Sequence, residues 1–292
     1  MASIASIEPL CLQLQRCTTA SAYADFSTKR EALERDFDLP SLCALFSGSV
    51  RLVGRSALPE PCSVPGSDGA VPLTDFTADV VARALLLLAV ARGHPAQLKD
   101  TVWGVYRQGD TLEQLAVVRS LALLPGPERF VELALDAGRT NDIRLFRALA
   151  CDNPFPAQHY PELEWNKLLM KAAFVDVPIE HVLGRAARSN SELSRMALEY
   201  IEQQESAGRA FPPAILHEVA AYPRPSAVAK LLGYASHAVA ELRLAAVQGL
   251  LRARQPRTVS FLTDLLEVET DERVRDALVA SLRTITDPRS SP

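Results

Sequence analysis

The sequence predicts an all-α fold: an α-α superhelix of stacked helix pairs, interrupted by a Pro-rich segment near its middle. Three observations predict it. Ala and Leu dominate the apolar set while aromatics make up only 6%, a bias that favours packed helices over sheets. From Leu98 onward, amphipathic helical patterns alternate with short turns. The chain also resembles itself. Residues from Leu115 fall on residues from Leu244 at a constant offset of 129 without a gap. Leu115, Ala116, Val118 and Leu121 meet Leu244, Ala245, Val247 and Leu250. Pro127 meets Pro256, Leu133 meets Leu262, and Asp142, Arg144, Ala148 and Leu149 meet Asp271, Arg273, Ala277 and Leu278. These positions are the apolar seam of one helix, the proline of a turn, and the capping Asp and seam of the next.

At shorter range, LRLAAVQGL from Leu242 aligns with VRDALVASL from Val274, 32 residues on. That spacing resembles HEAT-like repeats, in which a helix pair cannot bury its apolar face alone and stacks on its neighbours.

The N-terminal stretch MASIASIEPLCLQLQRC has no basic start and no long apolar core, so it does not read as a signal peptide. A helix is expected over Ala24–Leu39, with Phe26, Leu33 and Phe37 on one face and Ser27 as a cap. Gly48, Gly54, Gly66 and Gly69 with Pro59, Pro61 and Pro65 then mark a connecting loop from Gly48 to Val71. Thr74 or Thr77 is expected to cap the next helix, which runs through VVARALLLLAVAR to Gly93-His94-Pro95. Its Val80–Val90 core is apolar but for Arg83 and reads as a helix buried nearly all round. It is far short of the roughly 20 residues needed to span a bilayer. The last helix is expected to end at Thr286-Asp287-Pro288, before a disordered tail.

The stretch Asp152–Asn190 gathers the polar residues that a site would use. Pro154, Pro156 and Pro161 push the preceding residues away from helix, so Cys151–Pro161 is expected to be extended or turned. Asn153 before Pro154 is expected to fix a turn through its side chain, and is also a binding candidate. Pro161 opens a helix whose buried stripe is Trp165, Leu168 or Leu169, and Ala172, with Asn166 to the side. Trp165 reads as a core or groove residue, or else as a stacking platform. Asn166, poor in helix propensity, either bonds the Pro-rich loop from inside or contacts a ligand. Pro178 is expected to open a short helix ended by Gly184. Arg185 and Arg188 then either satisfy the last carbonyls of that helix or bind an acidic group. Ser189-Asn190-Ser191-Glu192 has the spacing of a capping box, with Asn190 mainly a cap candidate. His159 is a surface histidine in one reading and a general base in the alternative.

The remaining composition narrows the class. The net charge of −4 and the scattered basic residues leave no footprint for nucleic acid. Five cysteines, an odd count without a CxxC pair or a nearby His at ligand spacing, argue against a disulfide framework and a zinc site. They suit a cytoplasmic protein. Nucleotide-binding loops, GxSxG and HExxH are absent from the sequence, and neither a metal nor a cofactor is expected.

Leu123–Arg209 resembles the EboA family, the first component of a bacterial gene cluster tied to secondary metabolites. The residues that carry the likeness are Leu124-Pro125, Pro127-Glu128-Arg129, Asn153-Pro154-Phe155-Pro156-Ala157, Trp165-Asn166, Leu169–Ala172, Gly184, Arg188, Asn190, Arg195-Met196, Tyr200 and Gly208-Arg209. A weaker likeness extends over the N-terminal part, including the leucines at 85 to 88. The chain departs from the family pattern at Lys167, at Ala186 and over Tyr200–Glu205, where a His, Glu and Arg run is replaced. The resemblance implies a helical core at 73–210, with N-terminal helices and a linker at 1–72 and HEAT-like repeats continuing over 211–292. It also implies a role beside the cluster's metabolic enzymes in making or exporting a small molecule.

Two functions follow as expectations. The first is a non-enzymatic scaffold or binding protein that takes a pathway protein or a small-molecule intermediate in a groove near residues 152–190. Asn153, Trp165, Asn166, Arg185, Arg188 and Asn190 would contribute to it. The alternative is an enzyme acting on a small polar metabolite, with His159 as base and Asn153, Asn166 and Arg188 as orienting groups.

Overall fold

A computed structural model describes residues 7–222, 224–253 and 258–286. The expected turn at Pro256, the end of the last helix at Asp287-Pro288 and the tail beyond it lie outside these residues. The described residues hold sixteen α-helices, several short 3-10 turns and one two-stranded hairpin, so the chain is all-α with a helical repeat arrangement.

The chain divides into two compact units, Met1–Trp165 with His181–Leu183, and Asn166–Glu180 with Gly184–Pro292. The first unit begins with α1 (Ile7–Cys17), α2 (Ala20–Arg35) and α3 (Leu39–Val53). Helix α4 (Ala78–Gly93) is its centre and packs against α1, α2 and α3. Every residue from Ala78 to Ala91 is buried, as the apolar run predicts. Arg83 survives there because Asp79, one turn earlier, accepts from its Nη1 at 2.6 Å, and the Phe46 carbonyl accepts from its Nε at 2.9 Å. Helices α5 (Leu98–Gln108), α6 (Thr111–Ser120), α7 (Val131–Gly138), α8 (Ile143–Ala150) and α9 (Phe155–His159) complete this unit. Helix α10 (Glu162–Phe174) contains the division between the units.

The second unit carries α11 (Ser191–Ser206), α12 (Leu216–Ala220), α13 (Pro225–Ala235), α14 (Ala240–Ala253), α15 (Val259–Val268) and α16 (Glu272–Thr286). Helix α14 is its centre, packed on α12, α13 and α16. The internal repeat is visible helix by helix. Shifting by 129 residues lays α6 on α14, α7 on α15 and α8 on α16. Leu121, Leu133 and Leu149 are buried, and so are Leu250, Leu262 and Leu278. Even the caps repeat: Asp142 accepts the Arg144 amide at 2.9 Å, and Asp271 accepts the Arg273 amide at 3.0 Å.

Several local expectations are corrected. The helix expected over Ala24–Leu39 runs from Ala20 to Arg35 and is capped by Thr19, which accepts the Ala22 amide at 3.2 Å. Ser27 instead lies inside it. Helix α3 continues through Gly48 to Val53, since one glycine does not stop a helix whose Leu42, Phe46, Ser49 and Val53 are buried. The loop that follows contains a hairpin, β1 (Ser63–Gly66) with β2 (Gly69–Pro72). Its Ser67 amide donates to the Ala122 carbonyl at 3.0 Å. Gly66 is required there, because a Cβ would lie 2.6 Å from that same carbonyl oxygen. Between Cys151 and Pro161 the chain forms α9, with Pro156 accommodated in its first turn, rather than remaining extended. The segment after Pro178 makes only one 3-10 turn, Ile179–His181.

Candidate functional site

The Pro-rich segment is pinned by Asn153. Its Oδ1 accepts the Phe155 amide at 3.0 Å, closing the expected turn. Its Nδ2 donates to the carbonyls of Ala148 and Val118 at 3.2 and 3.3 Å. Asp152, at φ 51, donates its amide to the His181 carbonyl at 2.8 Å. These bonds bury Phe155 and Pro156 and place His159 against the hairpin. The His159 ring lies 4.8 Å from the Phe155 ring, and Nε2 is 3.2 Å from Asp68 Oδ2, off the line of a good hydrogen bond. Burial pushes its pKa down, opposed by Asp68 and Glu128. Trp165 is completely buried, so its ring is core.

In the second unit, Asn166 is 1% exposed rather than lying to the side of its helix. It forms a reciprocal amide pair with Asn190. Asn166 Nδ2 donates to Asn190 Oδ1 at 3.1 Å, and Asn190 Nδ2 donates to Asn166 Oδ1 at 2.8 Å. Asn190 Oδ1 also accepts the Leu193 amide at 2.8 Å and so caps α11. No capping box forms, because the third helical position is Leu193, and Glu192 pairs with Arg195 instead. Arg185 satisfies the preceding turn through the Ile179 carbonyl at 3.2 Å, as its position past a helix end suggests. Its other donors reach the Ala214 carbonyl at 3.2 Å and Glu218 Oε1 at 2.8 Å. Glu218 is wholly buried, so Arg185 balances a buried carboxylate. Arg188 is half-buried. Asn153, Trp165, Asn166, Arg185 and Asn190 thus all do visible structural work.

Open space with uncommitted chemistry lies at the ends of α10 and α11. Helix α10 closes with the Val177 amide on the Ala172 carbonyl at 2.9 Å and Asp176 at φ 58. Helix α11 closes with the Arg209 amide on the Gln204 carbonyl at 2.9 Å, the Gly208 amide on the Glu205 carbonyl at 3.0 Å, and Gly208 at φ 62. This is a Schellman turn, and it needs the left-handed residue that glycine supplies. The Tyr200 hydroxyl ties α11 to the end of α10 by donating to the Ala173 carbonyl at 3.1 Å. A cleft of about 420 Å³ results, lined by Phe174, Asp176, Tyr200, Gln204, Arg209 and Phe211 among others. Phe174 is 72% exposed. Among the described residues, neither Arg209 nor Asp176 forms an ion pair or a side-chain hydrogen bond. Sequence reasoning did not single out this cleft as a site, although Tyr200 and Gly208-Arg209 carry part of the family resemblance.

A second open cleft, of about 770 Å³, runs along α13 past Ala229, Lys230, Gly233, Tyr234 and His237. Its charges are internally balanced. Glu205 accepts from Lys230 Nζ at 2.7 Å and from the Tyr234 hydroxyl. Burial, and then this carboxylate, push the Tyr234 pKa up. Among the described residues, no three His, Cys, Asp or Glu side chains gather as a metal site. No helix among them is long and apolar enough to cross a membrane.

A family model described as metabolite traffic protein EboA matches residues 8–220, which take in both Leu123–Arg209 and the N-terminal part with its weaker likeness. A model of HEAT repeats matches residues 209–283, over the helices that repeat the 115–149 pattern. No curated protein and no solved structure matches the chain. With the first match covering most of its length, the chain belongs to the EboA family.

Proposed function

We propose that this chain is a non-enzymatic binding protein that holds a small-molecule intermediate of a secondary-metabolite pathway in the cleft at the ends of α10 and α11. One observation carries the reading. This cleft, inside the region matched by a family described as metabolite traffic, holds an exposed aromatic side chain and two opposite charges without partners among the described residues. The size suits a small ligand, for which pockets of about 300–1,000 Å³ are usual. The groups named for an enzyme have structural surroundings: Asn166 pairs with Asn190, and the His159 ring packs on Phe155 beside the hairpin. Phe174 and Asp176 lie within the stretch 152–190 where a groove is expected, and the Asn166–Asn190 pair links α10 to the N-terminal cap of α11. The HEAT repeats at 209–283 offer a surface for a protein of the same pathway, a suggestion that rests on the repeat class.

The test is affinity purification of the full chain from its native host, followed by mass spectrometry of the small molecules retained. A Phe174→Ser, Arg209→Gln variant alters only exposed side chains and serves as control. The reading expects a metabolite enriched with the wild type and lost with a variant of unchanged melting temperature. Equal retention by both proteins, or no enrichment, contradicts it.

A further inference from the structure

We propose that the ligand of this cleft is zwitterionic: a small molecule with one carboxylate, one ammonium group and an apolar or aromatic body, as in an α-amino acid or a close derivative. This rests on the reading that the cleft holds the metabolite, and adds its chemical class.

The charges set the class. Arg209 projects from the turn that ends α11, and its guanidinium has no partner among the described residues. Its planar fork of donors is matched by a carboxylate, which it can grip with two parallel hydrogen bonds. A ligand that carries only negative charge meets opposition here. Asp176 lines the same cleft, and two helices, α10 and α11, end at it. A helix C-terminus carries a partial negative charge. A purely cationic ligand suits Asp176 and those helix ends but leaves Arg209 facing a like charge. A neutral ligand makes use of neither charge. A zwitterion satisfies both at once, with its carboxylate on Arg209 and its ammonium on Asp176.

The remaining lining fits the rest of such a molecule. Phe174, Phe211 and the Tyr200 ring supply apolar surface, and an aromatic face favours a neighbouring ammonium. The Tyr200 hydroxyl is committed to the Ala173 carbonyl, so Tyr200 contributes its ring alone. The Gln204 amide, with no hydrogen bond of its own among the described residues, can donate or accept at the margin. The larger cleft along α13 is a poorer candidate because Lys230, Tyr234 and Glu205 already satisfy one another.

The experiment is calorimetric titration of the full chain with three probes of one shape: L-phenylalanine, L-phenylalaninamide and 3-phenylpropanoate. The second lacks the carboxylate and the third lacks the amine. Each charge-assisted contact is expected to give about a tenfold preference, so phenylalanine binds about tenfold more tightly than either analogue. Arg209→Gln lowers its affinity to about that of the amide, and Asp176→Asn to about that of the acid. Asparagine tolerates the left-handed conformation at position 176, so the turn persists in that variant. Affinities of the three probes within twofold of one another, unchanged binding in both variants, or no binding at about 10 mM probe overturn the zwitterion. If that happens while a host metabolite is still retained and lost with the Phe174 and Arg209 variant, only the ligand class fails. If no host metabolite is retained either, the binding reading fails with it.

Discussion

Replacing Arg185 by alanine removes the cation paired with Glu218, a carboxylate with no exposed surface in the second unit. The contact is Nε to Oε1 at 2.8 Å, and the Arg185 side chain is itself only 12% exposed. Taking the charge centres as about 4 Å apart and an effective dielectric of about 20, the lost attraction is about 4 kcal/mol. The Ile179 and Ala214 carbonyls lose a donor as well. Breaking a buried pair at one end generally costs about 3–5 kcal/mol, and the same range is expected here. With a urea slope of about 2 kcal/mol per molar, the unfolding midpoint of the C-terminal unit falls by about 2 M. Far-UV circular dichroism against urea reads this shift. Arg185→Met with Glu218→Leu removes both charges and is expected to recover most of the loss, giving a coupling of about 2 kcal/mol or more in a double-mutant cycle. A loss below about 1 kcal/mol for Arg185→Ala, or additive effects in the double variant, refutes the structural role and frees Arg185 for a ligand.

Other outcomes follow from the same geometry. Burial, then Arg185 and Arg252, hold the His217 pKa down to about 4, against the bond to Gln248. The unfolded chain binds this proton near pH 6.5 and the folded chain does not. Stability is therefore complete above about pH 6.5 and falls by up to about 3 kcal/mol toward pH 4; His217→Gln flattens this part of the pH profile in urea titrations. Gly208→Ala forces a side chain into φ 62 and is expected to cost about 1–2 kcal/mol, read as a lower melting temperature. Trp165→Ala opens the core and is expected to cost about 3–5 kcal/mol in a denaturant titration, whereas Phe174→Ser changes stability by less than about 0.5 kcal/mol.

Much of the fold was legible because repeats write themselves twice. The 129-residue offset located α6, α7 and α8 on α14, α15 and α16, down to the Asp142 and Asp271 caps. Asn153 as a turn-former and Asn190 as a cap were legible because both bond to their own backbone within three residues. What escaped depends on distant partners. The Asn166–Asn190 pair spans 24 residues, and Arg185 meets Glu218 33 residues away. The hairpin was missed because its four-residue strands contain Pro65 and Pro72 and show no clean alternation, leaving Gly66-Ser67-Asp68-Gly69 as the only cue. The cleft was missed for a related reason. Its walls are two helix ends, and no local pattern says that Phe174 stays exposed or that Arg209 finds no acid.

The most direct test is native mass spectrometry of the full chain taken gently from its host. A fraction of the protein is expected to carry one additional small-molecule mass, absent from the Phe174→Ser, Arg209→Gln variant and unchanged in a Lys230→Gln variant at the other cleft. A wild-type protein seen only at its bare mass, or an adduct that survives loss of Phe174 and Arg209, contradicts it.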